Sequence, residues 1–309
     1  MSGESVADYD TEVQIRTAAF AFLNSLVTRL GGIVRLEDVS RFECMGERMS
    51  LLDPQRGIRK PRQLLAALSI RTVHSPDPYA RPYADDIGTD GYLRYKWRGT
   101  DPSHAENRAL RDAMTLRLPL IWFQGVGPGA YVPIYPVWMV AEEASLHQFV
   151  VALDAAQLEE WDDPGPRRVA EESARYEPET VNRRLHQPVF RARVILAYQR
   201  QCALCRLRHV ELLDAAHIRG DAEGGQPIIP NGIAMCKIHH AAFDTDIIGV
   251  RPDYVVQVRK DVLDETDGPV LTHALQGLHG AKIHVPASVA ARPDLQFLDE
   301  RYARFLRAS

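Results

Sequence analysis

Two short chelating pairs constrain this chain more than anything else in it: Cys202-x-x-Cys205 and Cys236-x-x-His239, separated by 30 residues. Ligands two residues apart can both reach one ion from a single short loop, and two such pairs complete the tetrahedral shell of a structural zinc. A redox Cys-x-x-Cys would not call for a second Cys-x-x-His pair. Four cysteines in 309 residues are too few for a disulfide framework and point to a reducing compartment. Cys44 stands alone and is expected to pack as a small apolar residue. Cys202, Cys205, Cys236 and His239 are therefore expected to hold zinc.

The residues between the pairs carry chemistry of their own. Asp214-Ala-Ala-His217-Ile follows a strand-like Val210–Leu213, a loop Gly224-Gly-Gln-Pro227 comes next, and Asn231-Gly232 is expected to open a helix bearing Cys236, His239 and His240. Strand, loop, strand and helix, with His217, Asn231 and His240 in that order, resemble the HNH or ββα-metal endonuclease family. The flanking zinc pairs resemble its zinc-stapled branch, in which a module with little core is held together by the ion. Over roughly residues 185–260, including Ala216-His217-Ile218, Asn231–Cys236 and His240–Asp244, the chain is similar to predicted restriction endonucleases of the McrA-like kind.

The resemblance implies phosphodiester hydrolysis, which needs a base for water, a cation for the charge on phosphate and leaving oxygen, and groups that hold both in line. His217 would be the base, since a neutral imidazole accepts a proton near pH 7. His240 is one helical step, about 100°, from His239 and would face another way to bind Mg²⁺ or another divalent cation. Asn231 would orient the loop or complete the metal shell. Many family members carry an acidic ligand just before the first histidine, where this chain has Ala216. The second protein ligand is thus open among Asn231, Asp214 and Asp244, with Asp214 expected to face away from His217 on a regular strand. Arg206, Arg208 and Arg219 would position phosphates.

At 45% hydrophobic, the chain is long enough for two domains. The expected class is α+β: an N-terminal mixed helix and sheet domain (1–155) for target recognition, an acidic linker (156–182), and a C-terminal zinc-stabilised ββα-metal nuclease domain with a tail (183–309). In the first domain, apolar spacing predicts a helix over Thr11–Leu30, capped by Asp10 or Thr11 and ended by Gly31-Gly32. A strand at Ile33–Leu36, a short helix to about Phe42 and a buried helix at Gln63–Ile70 follow. Strands are expected at Tyr92–Arg98, Leu118–Val126, Tyr131–Val140 and Phe149–Leu153, and a helix at Asn107–Met114. Tyr95 or Trp97 could stack on a base, and Tyr131, Tyr135 and Trp138 could enclose a flipped one, although an ordinary core explains the same residues. Beyond the linker, helices are expected at Val189–Tyr198 and Pro293–Leu306, with a strand at Tyr254–Val258.

A net charge of −4 excludes a general nucleic-acid coat, because counterion release needs cations. Any DNA face must be local, at Arg56–Arg62 with Arg59, Lys60 and Arg62, or along the acid-free run Arg183–Arg208. The N-terminus lacks a signal peptide's charged start and apolar core, and no run suits a membrane span, so a cytoplasmic protein is expected. The leading expectation is a metal-dependent DNA endonuclease, a restriction enzyme acting on modified DNA among its options. A single active site cuts one strand, so cutting both calls for a homodimer or sequential nicking. The competing readings are a non-catalytic zinc-stabilised DNA-binding or regulatory protein and a thiol oxidoreductase.

Overall fold

The computed structural model describes residues 8–79, 87–88, 90–162, 182–266 and 268–308. The chain divides into two compact units: 1–74 with 83–188, and 75–82 with 189–309.

The first unit opens with α1 (Tyr9–Leu30), whose N-cap is Asp8, accepting from the Thr11 amide at 2.7 Å, in place of Asp10 or Thr11. Gly31 ends it in the left-handed conformation, φ 62°. Ile15, Ala19, Leu23 and Leu26 form its buried stripe and join Ile121 and Phe123 in one core. The same helix buries an ion pair. Glu12 accepts from the Leu65 amide at 2.6 Å, and Arg16 donates to Glu12 and to the carbonyls of Pro119 and Ala67. Such a pair is tolerable in a core because the remaining polar atoms are satisfied too.

Next come β1 (Val34–Arg35), α2 (Leu36–Val39), the hairpin β2 (Glu43–Cys44) and β3 (Glu47–Arg48), β4 (Ile58–Arg59), β5 (Ser69–Thr72) and β6 (Leu93–Lys96). They are followed by α3 (Ala105–Thr115), β7 (Leu120–Gly127), β8 (Ala130–Glu143), β9 (Gln148–Ala152) and α4 (Ala155–Asp162). The sheet runs β4-β5-β7-β8-β9-β6, with β1 on β8; β5 and β7 are parallel and the other pairs antiparallel. All eight residues of β7 are buried, as a strand covered on both faces requires. β8 pairs with β1, β7 and β9, and its register with β9 shifts between Met139 and Ala141, a bulge that bends the strand.

Gln63–Ile70 is not the expected helix: it is a turn leading into β5, whose backbone is taken up by parallel pairing with β7. Tyr95, Tyr131, Tyr135 and Trp138 are half-buried. The Tyr95 hydroxyl donates to the Gly57 carbonyl at 3.0 Å and Trp97 is buried. Tyr131 packs edge-on to Phe123, and Tyr135 stacks on Phe20 at 5.7 Å. Of the acidic linker, residues 156–162 lie on α4 and 163–181 fall outside the described residues. No helix among the described residues is long and apolar enough to cross a membrane.

The second unit holds α5 (Gln187–Ala197) from Val189 onward, the hairpin β10 (Leu213–His217) and β11 (Gly232–Cys236), α6 (Lys237–Asp244), and the pair β12 (Ile248–Val250) and β13 (Val256–Val258). It ends with α7 (Lys260–Asp264) and α8 (Leu295–Ala308). Asn231-Gly232 does not open a helix: residues 232–236 are a strand in full register with β10, from Leu213↔Cys236 to His217↔Gly232. The helix begins only at Lys237. Arg191 and Arg193 of the expected basic run turn inward. Arg191 donates to the carbonyls of Val210 (2.9 Å) and Leu213 (2.6 Å), and Arg193 to that of Asp77 (2.5 Å). They brace the unit instead of facing DNA.

Candidate active site and metal centre

Cys236 is the last residue of β11 and the N-cap of α6, so His239 lies on the first helical turn, over the strand end. The other pair sits on a knuckle in which the Cys202 amide donates to Leu207 at 2.9 Å and the Ala203 amide to Ala234 of β11 at 2.7 Å. The hairpin thereby docks both pairs. The ligand atoms of Cys202, Cys205, Cys236 and His239 all lie within 4.8 Å of one another. His239 Nδ1 is 3.4 Å from Cys202 Sγ and 3.2 Å from Cys236 Sγ. Bond lengths of about 2.0–2.3 Å around tetrahedral zinc imply similar ligand spacings. His239 Nε2 lies 2.7 Å from the Ala274 carbonyl. Donation there leaves Nδ1 with its lone pair turned to the sulfurs, the tautomer a metal ligand needs. The Cys236 thiol is held well below the ordinary cysteine range, first by its contact with Cys202 and then with Cys205. Donor set, spacing and tautomer fit zinc.

His217 ends β10 and lies flat on Phe190 of α5, ring centroids 4.1 Å apart and planes 20° from parallel. Close packing of α5 on β11 makes this possible. A Cβ at Gly232 would come within 2.5 Å of Val194 and 2.9 Å of Phe190. Burial pulls the His217 pKa below its ordinary value; Asp221 opposes this and His240 adds to it. Asp221 Oδ1 stands 3.4 Å from His217 Nε2, but without hydrogen-bond geometry. With the imidazole favoured as neutral by burial, the contact is no ion pair.

His240 is the counterpart. Its pKa is raised, first by its hydrogen bond with Asp214, against burial. Nδ1 lies 3.5 Å from Asp214 Oδ2 and Nε2 3.2 Å from Asp244 Oδ2. Asp214 therefore meets the helix, and its charge is felt at His217 as well. Ala216 is fully buried and pairs with Ile233. A carboxylate there would be taken out of water.

Asn231 is wholly buried, and the side chain spans the loop. Oδ1 accepts from the Arg219 amide at 2.9 Å, while Nδ2 donates to the carbonyls of Arg219 and Gln226 at 3.0 Å each. Gly225 lets that loop close, since a Cβ there would lie 1.9 Å from the Arg219 carbonyl oxygen. The Asn231 amide thus holds the loop that follows His217. Asp221 is a neighbour that sequence reasoning missed; its spacing of four from His217 was the available signal.

Among the candidate phosphate contacts, Arg206 and Arg208 are exposed beside the knuckle. Arg219 is bound to Glu300 at 3.0 Å and stacked on Phe297 at 4.3 Å. Lys60 and Arg62 are exposed in the first unit, and Arg59 is half-buried with Nε donating to Ser50 at 3.4 Å.

A family model described as HNH endonuclease matches residues 202–251, the span that holds every residue of both centres. The chain carries an HNH endonuclease domain. Among solved structures it is similar to a "Modification dependent TagI restriction endonuclease": 18% identity over 77% of this chain and 81% of that one, TM-score 0.30. It is also similar to the "Type IV phosphorothioation-dependent restriction endonuclease ScoMcrA": 14% identity over 82% of this chain, TM-score 0.24. The match spans 52% of the ScoMcrA chain. No curated protein sequence matches this chain.

Proposed function

We propose that this protein is a divalent-metal-dependent DNA endonuclease of the restriction type, with the first unit selecting the DNA. The observation that carries the reading is the pairing of opposite tendencies in one HNH domain. His217 is pushed toward neutral by burial against Phe190, and His240 is flanked by two carboxylates. His217 takes a proton from water, whose oxygen then attacks phosphorus as the P–O bond on the far side breaks. Asn231 fixes the loop that follows His217. His240 with Asp214 or Asp244 is a nitrogen and oxygen set suited to Mg²⁺ or a similar hard cation. Bound there, such an ion would stabilise charge on the phosphate and leaving oxygen.

The test is incubation of the purified chain with Mg²⁺, Mn²⁺, Co²⁺ or Ni²⁺ on plasmids with and without base or backbone modifications. Nicking or linearisation is expected, with His217→Ala slower by about 10²–10⁴-fold at unchanged melting temperature. Cleavage of both substrates alike would remove modification dependence. DNA binding without cleavage under any ion would leave a zinc-stapled binding protein. Linear product at first order in dimer, rather than through a nicked intermediate, would mark a homodimer.

A further inference from the structure

In the second unit a cleft of about 350 Å³ opens beside the active-site loop. Ile218 and Arg219, which directly follow His217, form one side. The other is the face of α8 that carries Glu300, Arg301, Arg304 and Arg307. This helix lies outside residues 202–251. The lining counts four arginines against two glutamates, in a chain whose net charge is −4.

The arginines differ in how far they are committed. Arg301 is held inside, donating to the Phe243 carbonyl with its guanidinium 4.5 Å over the Phe243 ring. Arg304 reaches Asp246 at 3.2 Å and stands 4.0 Å from Glu223, too far for a hydrogen bond. Arg307 is exposed on the last turn and forms no hydrogen bond or ion pair among the described residues. Arg219 is tied to Glu300 alone among the acids of the described residues. A guanidinium–carboxylate pair whose glutamate is exposed is open to exchange with another anion.

We infer that the cleft seats backbone phosphates of bound DNA next to the cut bond, with Arg304 and Arg307 as direct contacts and Arg219 exchanging Glu300 for phosphate. This rests on the nuclease reading. Phosphodiester is the ligand class because guanidinium forks match its oxygens, and cations gathered in a concave wall focus their field on an anion. The cleft also begins at Ile218, the residue next to the proposed base, so one strand can run from it to His217.

The experiment measures binding of the intact chain to duplex DNA over a series of salt concentrations, without added divalent cation. Arg307→Gln and Arg304→Gln are each expected to flatten the slope of log K against log salt by about one, the release of roughly one counterion. Glu300→Gln is expected to tighten binding by freeing Arg219. In cleavage assays Arg307→Gln should raise KM and spare kcat. Wild-type slopes in both arginine variants would overturn the proposal, as would an effect confined to Arg304→Gln with a lowered melting temperature, since Arg304 also braces Asp246. The two readings fail separately. Flattened slopes without cleavage under any ion would sink the nuclease and keep the DNA contact; normal cleavage with unchanged slopes would remove the cleft alone.

Discussion

His217 lies between influences of opposite sign, burial against Phe190 lowering its pKa and the Asp221 carboxylate raising it, with burial the larger. A base must be unprotonated, so a lowered pKa keeps it active to lower pH. The acid limb of kcat/KM should therefore fall below the ordinary imidazole range of about 6.5. Phe190→Leu, which lets water reach the ring, should move that limb up, and Asp221→Asn should move it down. Profiles at fixed metal concentration check both, and a limb indifferent to either change would remove His217 as the titrating base. The order of His217, Asn231 and His240 was legible in the chain because order and spacing survive in one dimension. The bonds that hold the Asn231 side chain in the loop were not, because they depend on where a buried amide finds its partners. Asp214 and Asp244 both meet His240, so Asp214→Asn is expected to weaken activation by Mg²⁺ by about 10-fold or more, seen as a shifted metal titration at unchanged DNA affinity.

The hairpin β10–β11 and helix α6 form the element on which both centres depend, and they show where pattern reading stops. Gly232-Ile-Ala-Met-Cys236 is a short apolar run, and such runs do not separate strand from buried helix by period; ladder pairing with Leu213–His217 decides for strand. Gln63–Ile70 was misread in the same way, since its pairing partner β7 lies some fifty residues downstream. The chelating pairs escaped this ambiguity because their spacing reads the same under either backbone, and the structure brings their ligand atoms within 4.8 Å of one another. Zinc removal should accordingly unfold this element, as binding free energy in such modules is folding free energy, about 10–16 kcal/mol in small zinc peptides. Dialysis against a strong chelator should erase the calorimetric transition of the second unit, and added Zn²⁺ should restore it. Persistence of that transition in zinc-free protein would deny the staple. Gly232→Ala is a milder probe: crowding Val194 and Phe190 should cost about 1–3 kcal/mol, read from the denaturation midpoint.

At the scale of the whole chain, length and composition make room for two domains, and contacts divide the chain into two compact units. What composition could not reveal is that the second unit is discontinuous. Residues 75–82 belong with 189–309. The reason lies in backbone bonds that leave no periodic trace. The Ile229 amide, at the start of the turn that presents Asn231, donates to the Pro78 carbonyl at 3.1 Å, and the Arg193 guanidinium donates to Asp77 at 2.5 Å. A fragment cut at the expected boundary, 183–309, keeps the zinc ligands but loses both acceptors. Each buried donor left unmet costs about 1–3 kcal/mol, the charged one more. The fragment should therefore melt roughly 10 °C below the corresponding transition of the intact chain, with zinc still bound. Joining residues 75–79 to it through a flexible linker should recover most of the loss. A fragment that melts with the intact chain, or one that the added segment does not rescue, would show that the unit folds without its borrowed strand of backbone.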